Sequence, residues 1–311
     1  MKQIGLLVFD GVTLLDVSGP AEVLSRAPGY ELTLFSPRGG NVRSASGLSL
    51  TATKVASAEI ALDTLIIAGS DTLPDAAIDP ALLEAARILA TSARRIASVC
   101  TGAFILAEIG ELNGRRATTH WKNTADLARR YPDVLVEPDV LHVHDGRYIS
   151  SAGISAGIDL ALSLVEEDHG PRAAREIAQD MVVFMHRPGG QSQFIGARRT
   201  PQVESEILHA VLDHVTTTLT QEHSVTSMAA AASVSARHLT RLFHQELGTT
   251  PMRWLELMRL NQAKQLILEG ATVTSAARDA GFGTDEKLRR AFARHLGITP
   301  RDYRARFRST F

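Results

Sequence analysis

In RIASVCTGAFILAE, Arg95 to Glu108, a short apolar run meets a segment of helical spacing at a bend marked by Cys100 and Gly102. The pattern reads as strand, sharp turn and helix, with Gly102 removing a side chain where the chain must bend. Cys100, the only cysteine among 311 residues, then sits at the head of the helix, the geometry of a nucleophile elbow. The helix dipole and free N–H groups stabilise a thiolate there, so the spacing predicts a Cys100 pKa below that of a free thiol. A small buried apolar filler is the alternative reading.

Working outward, QIGLLVF, a helical segment ending at Arg26, YELTLFS, DTLIIAG and a helix from about Pro80 to Ala93 alternate as strands and helices do in a parallel sheet covered on both faces. ISAGIDLALSLVEE and PRAAREIAQDMVVFM add helical spacing, and the Gly-, Pro- and Gln-rich HRPGGQSQFIGARRTP reads as a linker. The expected organisation is an α/β domain over residues 1–185, a linker over 186–203 and a second domain over 204–311. Net charge is −1, but residues 202–311 carry 14 Lys and Arg against 11 Asp and Glu, leaving 19 against 23 before them. From Lys287 to Arg308 eight cations meet only Asp302, which reads as either a solvated face or a polyanion-facing one. One cysteine cannot form an internal disulfide, and the apolar run in MKQIGLLVFDG is too short for a signal peptide or a membrane span, so a cytoplasmic location is expected.

The second domain is resolved by a repeat. LTRLFHQELGTTPMRW, Leu239 to Trp254, and LRRAFARHLGITPRDY, Leu288 to Tyr303, share Leu, Arg, Phe, Leu, Gly, Thr and Pro at one offset. VTSMAAAAS, Val225 to Ser233, and VTSAARDAG, Val273 to Gly281, precede them, the second copy having one extra residue in its turn. Each copy reads helix, tight turn, helix. Thr226 and Thr274 are expected to cap the first helices, Ser235 and Thr284 the second, and Gly248 and Gly297 to end them. Ala-rich first helices allow the second to cross closely and to project a polar ridge of the kind that enters a major groove. MRLNQAKQLILEG, Met258 to Gly270, reads as the helix joining the copies, with Leu260, Ala263, Leu266 and Ile267 in one apolar stripe.

GFGTDEKLRRAFARHLGITPRDYRARF resembles the closing signature of the AraC/XylS family of DNA-binding domains over the last third of the chain. The resemblance implies an all-α domain with two helix-turn-helix motifs, and DNA contacts from Ser235, Arg237, Thr240 and Arg241 in the first motif and Thr284, Asp285, Glu286, Arg289 and Arg290 in the second. Asp285 and Glu286 can accept from cytosine amino groups or can favour the helix N-terminus.

FDGVTLLDVSGPAEVL, DTLIIAGS, SVCTGAFILAEIGELNGRRATTHW and YISSAGISAGIDLALSLVEEDHG resemble the ThiJ/PfpI superfamily, with its flavodoxin-like, glutamine-amidotransferase-like sandwich. By that resemblance Asp16 faces Cys100, and backbone groups of Gly69 and Ser70 are oxyanion-side donors. Proteases and amidases of the family carry a histidine directly after the cysteine, whereas this chain has Thr101, the pattern of isocyanide hydratases. His120 in TTHW can supply a base, although beside Trp121 a structural hydrogen-bonding role is favoured. His142 and His144 in LHVHDG share a strand face but lack further ligands, so no metal is expected, and no cofactor either.

In this order the two resemblances are similar to the GlxA-type branch of AraC-family regulators. They imply a sequence-specific DNA-binding regulator, by analogy an activator, whose first domain senses a small metabolite such as an amine, betaine or amino acid near Asp16, Gly69, Ser70, Cys100, Thr101 and His120. Double-stranded promoter DNA, a second copy of the chain and, for an activator, RNA polymerase are the implied partners, and no membrane is. Catalysis is not expected, Cys100 and Asp16 being a vestigial elbow pair; an isocyanide hydratase or amidase carrying a DNA-binding domain is the alternative, and a redox sensor acting through Cys100 a third.

Overall fold

The apolar runs of the first 151 residues build a seven-stranded sheet whose strands lie, edge to edge, at 142–145, 148–151, 93–99, 62–67, 2–7, 30–36 and 54–55. β1 (Lys2–Leu7) is an interior strand and pairs in parallel with β2 (Tyr30–Ser36) and with the central β6 (Leu62–Ile67), and β6 pairs in parallel with β7 (Ala93–Val99). β11 (Tyr148–Ser151) joins β7 in parallel, and β10 (His142–Asp145) closes that edge as an antiparallel hairpin turning at Gly146. β5 (Lys54–Val55) forms the other edge. Two small pairs lie outside the sheet: a hairpin of β3 (Gly40–Arg43) and β4 (Ser49–Ala52), and β8 (Arg116–Ala117) with β9 (Leu135–Val136). None of these four is long enough to show a periodicity.

Strands buried on both faces need apolar cover on both. On one face α1 (Leu14–Arg26) and α5 (Ala156–Asp180) pack over a core containing Leu6, Val23, Val99 and Leu160. On the other, α2 (Pro80–Ser92) and α3 (Gly102–Glu108) bury Leu7, Ile67, Leu89 and Phe104, with α4 (Thr124–Arg130) beside them. α5 is broken at Gly170 (φ 83°, ψ 167°) before Pro171, which accounts for its reading as two helical stretches. It ends at Asp180, so the VVFM of the second stretch is not helical.

The computed structural model describes all residues except 58–59, 186–189, 192–202, 204 and 308–311, and the chain divides into two units, Met1–Arg187 and Pro188–Phe311. Most of the linker expected over 186–203 lies outside the described residues, as do Arg308 and the side chain of Arg306 in the basic run. Among the described residues no helix is long and apolar enough to cross a membrane.

The second unit is all α. α6 (Glu206–Thr217), α7 (Val225–Ala231), α8 (Ala236–Leu247) and the start of α9 (Pro251–Leu268) enclose Leu208, Met228, Phe243 and Trp254. The rest of α9 packs with α10 (Val273–Asp279), α11 (Asp285–Leu296) and α12 (Pro300–Phe307) around Leu260, Ile267, Phe292 and Tyr303. The repeat is physical: Phe243 meets Trp254 edge-on at 5.9 Å, and Phe292 meets Tyr303 the same way at 5.6 Å. Ser235 and Thr284 cap α8 and α11, and Gly248 and Gly297 end them at φ 62° and 64°. The caps expected at Thr226 and Thr274 are corrected to Ser224 and Thr272, which have the extended backbone a cap requires and accept from Ser227 and Ser275 N–H. Thr274, freed from capping, donates its hydroxyl to Asp285 at 2.9 Å and so ties α10 to α11.

Candidate functional site

Cys100 stands at the carboxyl end of β7, where open α/β sheets place their ligand crevices. Its φ of 58° is the strained turn of an elbow. Both backbone groups are held: its N–H donates to Ser151 O at 3.1 Å, and its carbonyl accepts from the Thr119 hydroxyl at 2.8 Å. Three glycines permit the close packing. A Cβ on Gly102 would lie 2.4 Å from Ile67 O, one on Gly69 2.7 Å from Thr101 N, and one on Gly153 2.6 Å from the Cys100 Sγ.

Asp16, in the first turn of α1, is fully buried. Its Oδ2 accepts from the Gly69 N–H at 3.0 Å. Oδ1 has no partner of hydrogen-bond geometry, although the Ile154 N–H lies close enough to favour the charged form. Burial pushes the carboxyl up to about 7 against the help of the Gly69 and Ile154 N–H groups, and the charge of Asp71 adds to the rise. Burial likewise pushes the Cys100 thiol up, to about 12, with Asp16 adding to it and the Thr101 and Ile154 N–H groups opposing. The expectation of a lowered Cys100 pKa is therefore corrected. The residue is 3% exposed just before a helix of only seven residues, and desolvation of a thiolate outweighs the pull of so short a helix.

The Ser70 N–H donates to Thr101 Oγ1 at 2.8 Å, and the Thr101 hydroxyl donates back to the Ser70 carbonyl at 2.6 Å. The amides of Gly69 and Ser70 thus already have partners inside the protein, and a ligand reaches them only by displacing Asp16 or Thr101. Asp16, Gly69, Ser70, Cys100 and Thr101 form one cluster. His120 is half-buried at its margin, accepting weakly from the Lys122 N–H at 3.4 Å, and burial and then Lys122 hold its pKa down. Among the described residues no hydrogen bond joins its ring to the other five.

Two members were missed in the sequence. Asp71 is exposed, yet it is near enough for its charge to act on Asp16, Cys100 and His120 together. Ile154, at φ 46° and 39% exposed, aims its N–H at Asp16 and Cys100. A β-branched residue in that region signals strain, but nothing local in ISAG announces it. His142 and His144 lie with ring centres 5.6 Å apart, and no group of three metal-ligating side chains occurs among the described residues.

The second unit presents two unlike ridges. On α8, Arg237 and Arg241 are exposed along an open depression shared with Ser235, Thr240 and His244, and neither has a partner among the described residues. The Thr240 hydroxyl donates to Ala236 O at 2.8 Å. On α11 the exposed Arg289 and Arg290 are countered one turn back by Asp285 at 3.8 Å and Glu286 at 3.5 Å. Thr284 is spent on its cap and Asp285 on Thr274, while Glu286, 79% exposed, faces solvent with Arg290 as its ion-pair partner.

A helix-turn-helix domain model matches residues 228–306, and a DJ-1/PfpI family model matches residues 2–167. An HTH-type transcriptional regulator of Mycobacterium tuberculosis is 30% identical over 268 residues, 79% of this chain and 96% of that one. The HTH-type transcriptional regulator GlxA of Rhizobium meliloti is 28% identical over 317 residues, covering 98% of this chain and 96% of its own. The isonitrile hydratase of Pseudomonas putida is 37% identical over 165 residues, 53% of this chain and 71% of that one. With an elbow domain of the DJ-1/PfpI family over half its length and a duplicated AraC-type helix-turn-helix domain after it, the chain belongs to the DJ-1/PfpI family and is a DNA-binding transcriptional regulator rather than an enzyme.

Proposed function

We propose that the first unit binds a small effector at the Asp16–Cys100 cluster and thereby biases how the two helix-turn-helix motifs engage promoter DNA. The observation that carries this is Asp16 Oδ1, fully buried without a hydrogen-bond partner at the carboxyl end of the sheet. A buried orphan acceptor costs about 1–3 kcal/mol, which a ligand donor reaching it would relieve. The nearby charge of Asp71 adds to this, so an amine or an amino acid suits the site by an ammonium that both carries positive charge and donates, and a betaine suits it by charge alone. The site consists of Asp16, Gly69, Ser70, Cys100, Thr101 and His120, with domain limits of 1–185 and 204–311 around a linker. DNA is contacted by Ser235, Arg237, Thr240 and Arg241 from α8 and by Thr284, Asp285, Glu286, Arg289 and Arg290 from α11. The regulator acts as a homodimer in the cytoplasm and recruits RNA polymerase as an activator.

Coupling requires that the effector bind one DNA-engaging arrangement more tightly than the other. The test is a thermal-shift screen of amines, betaines and amino acids followed by promoter-DNA titration with each hit. A hit that raises the melting temperature in the wild type but not in Asp16→Ala, and that changes DNA affinity, supports the reading. Hits indifferent to Asp16 defeat it. The partial likeness to an isonitrile hydratase favours one second reading, residual turnover at Cys100. A thiol held near 12 argues against it, and isocyanide consumption lost in Cys100→Ala would restore it.

A further inference from the structure

The two halves of the DNA-binding unit have separate cores with no residue in common, and α9 runs through both. Trp254 and Leu255 belong to the first core, while Leu260, Ala263 and Ile267 belong to the second. Between them α9 carries two half-buried charges, Glu256 and Arg259. Met258 still packs against the first core and Leu260 already belongs to the second, so the helix passes from one core to the other between these two residues.

Both charges bridge that junction. The Arg259 guanidinium donates to Leu219 O at 3.0 Å and to Gln221 O at 2.5 Å, carbonyls of the turn following α6 in the first half. The same point is closed from the second half by Gly281, in the turn between α10 and α11. A Cβ there would lie 2.5 Å from Leu219 O and 2.8 Å from Arg259 Nε, so only glycine, here at φ 83°, lets the three segments converge. Three residues earlier on α9, Glu256 accepts from Arg294 at 2.9 Å and lies 3.1 Å from the largely buried His295 Nε2, both at the end of α11. The planar Arg259 fork, half-buried, loses little freedom per hydrogen bond, whereas Arg294 is 63% exposed, so the Glu256 arm draws more on the largely buried His295.

We propose that Arg259 and Glu256 form a polar latch that holds α8 and α11 at one separation and one rotation, so that these two side chains set the number of base pairs allowed between the two recognition segments. The latch rests on the assignment of α8 and α11 as the DNA-reading helices. Arg259 and Glu256 are positioning residues: neither lies on a recognition helix. One inserted base pair moves the second segment by roughly 3.4 Å and about a tenth of a turn, more than a latched pair can follow.

The experiment has two arms on the full chain. In the first, spin labels on Gln245→Cys and Lys287→Cys, in a Cys100→Ala background, report the distance between α8 and α11 without DNA. A narrow distribution that broadens in Arg259→Ala and in Glu256→Ala is expected; unchanged distributions overturn the latch. In the second, duplexes that wild type selects from a randomised pool are remade with one base pair inserted between the contacted segments. Wild type is expected to lose roughly 10-fold or more in affinity, and each variant only about 3-fold relative to its own parent duplex. Arg259→Lys, which keeps charge but not the fork, falls between. Variants that weaken by one common factor at every spacing mark Arg259 and Glu256 as merely structural and overturn the proposal. If wild type selects no duplex, the DNA-reading assignment fails, and the distance arm alone still judges the latch.

Discussion

Replacing Asp16 by Asn tests the electrostatics of the elbow most directly. Burial raises this carboxyl from 3.8 to about 7. At about 1.4 kcal/mol per unit, the ionised side chain therefore opposes folding by about 4 kcal/mol at alkaline pH. At this site the native state holds more protons than the unfolded chain between these values, so the contribution of Asp16 to stability is most favourable below the lower one, falls through the window and levels off above it. Asn removes that dependence. It keeps an acceptor for the Gly69 N–H but places a carboxamide N–H where Oδ1 has no partner, at a cost of about 1–2 kcal/mol. Asp16→Asn should thus be slightly less stable than wild type near about pH 4 and about 2–3 kcal/mol more stable near about pH 8. The two units need not unfold together, so the measurement is a urea titration followed by Trp121 fluorescence in a Trp254→Phe background, which reports on the first unit alone. Parallel pH profiles for the wild type and Asp16→Asn would show that the carboxyl is ordinary and would remove the argument for an unsatisfied buried group.

Three further outcomes follow from the same structure. Cys100, buried and held near 12, should resist iodoacetamide at neutral pH and react only at the rate of unfolding; fast stoichiometric alkylation of native protein would contradict its burial. Gly102→Ala must fit a Cβ 2.4 Å from Ile67 O and should destabilise the first unit by about 2–3 kcal/mol in the same urea assay, a loss that a shift of α3 without cost would disprove. Arg237→Ala and Arg241→Ala should each weaken selected duplexes by about 1–3 kcal/mol for a base contact, or lower the salt slope by about 0.9 for a phosphate contact. Filter binding across a salt series distinguishes the two cases, and unchanged binding by both would remove α8 from the interface.

Features written in a few neighbouring residues are legible in the chain itself. The duplication is one: Ser235, Gly248, Thr284 and Gly297 bound their helices because a cap oxygen or a left-handed glycine acts within one turn. Where the same logic slips, at Thr226 and Thr274, it slips by two residues, since Ser or Thr stands at both candidate positions and only backbone angles choose between them. The short strands β3, β4, β8 and β9 carry no pattern to read.

By itself, the order of residues determined the strand-elbow-helix around Cys100, the alternation that makes a covered parallel sheet and the paired helix-turn-helix motifs. Each depends on periodicity or on a bend within a dozen residues. The tertiary structure alone decided the protonation of the elbow, because desolvation depends on what segments far apart in the chain, around Asp16, Gly69, Cys100 and Gly153, pack against one another. It alone also brought the charge of Asp71 to bear on that cluster, and joined Arg259 to the carbonyls of Leu219 and Gln221 beside Gly281. Field and packing act through space, and no local pattern records which distant side chains will be neighbours.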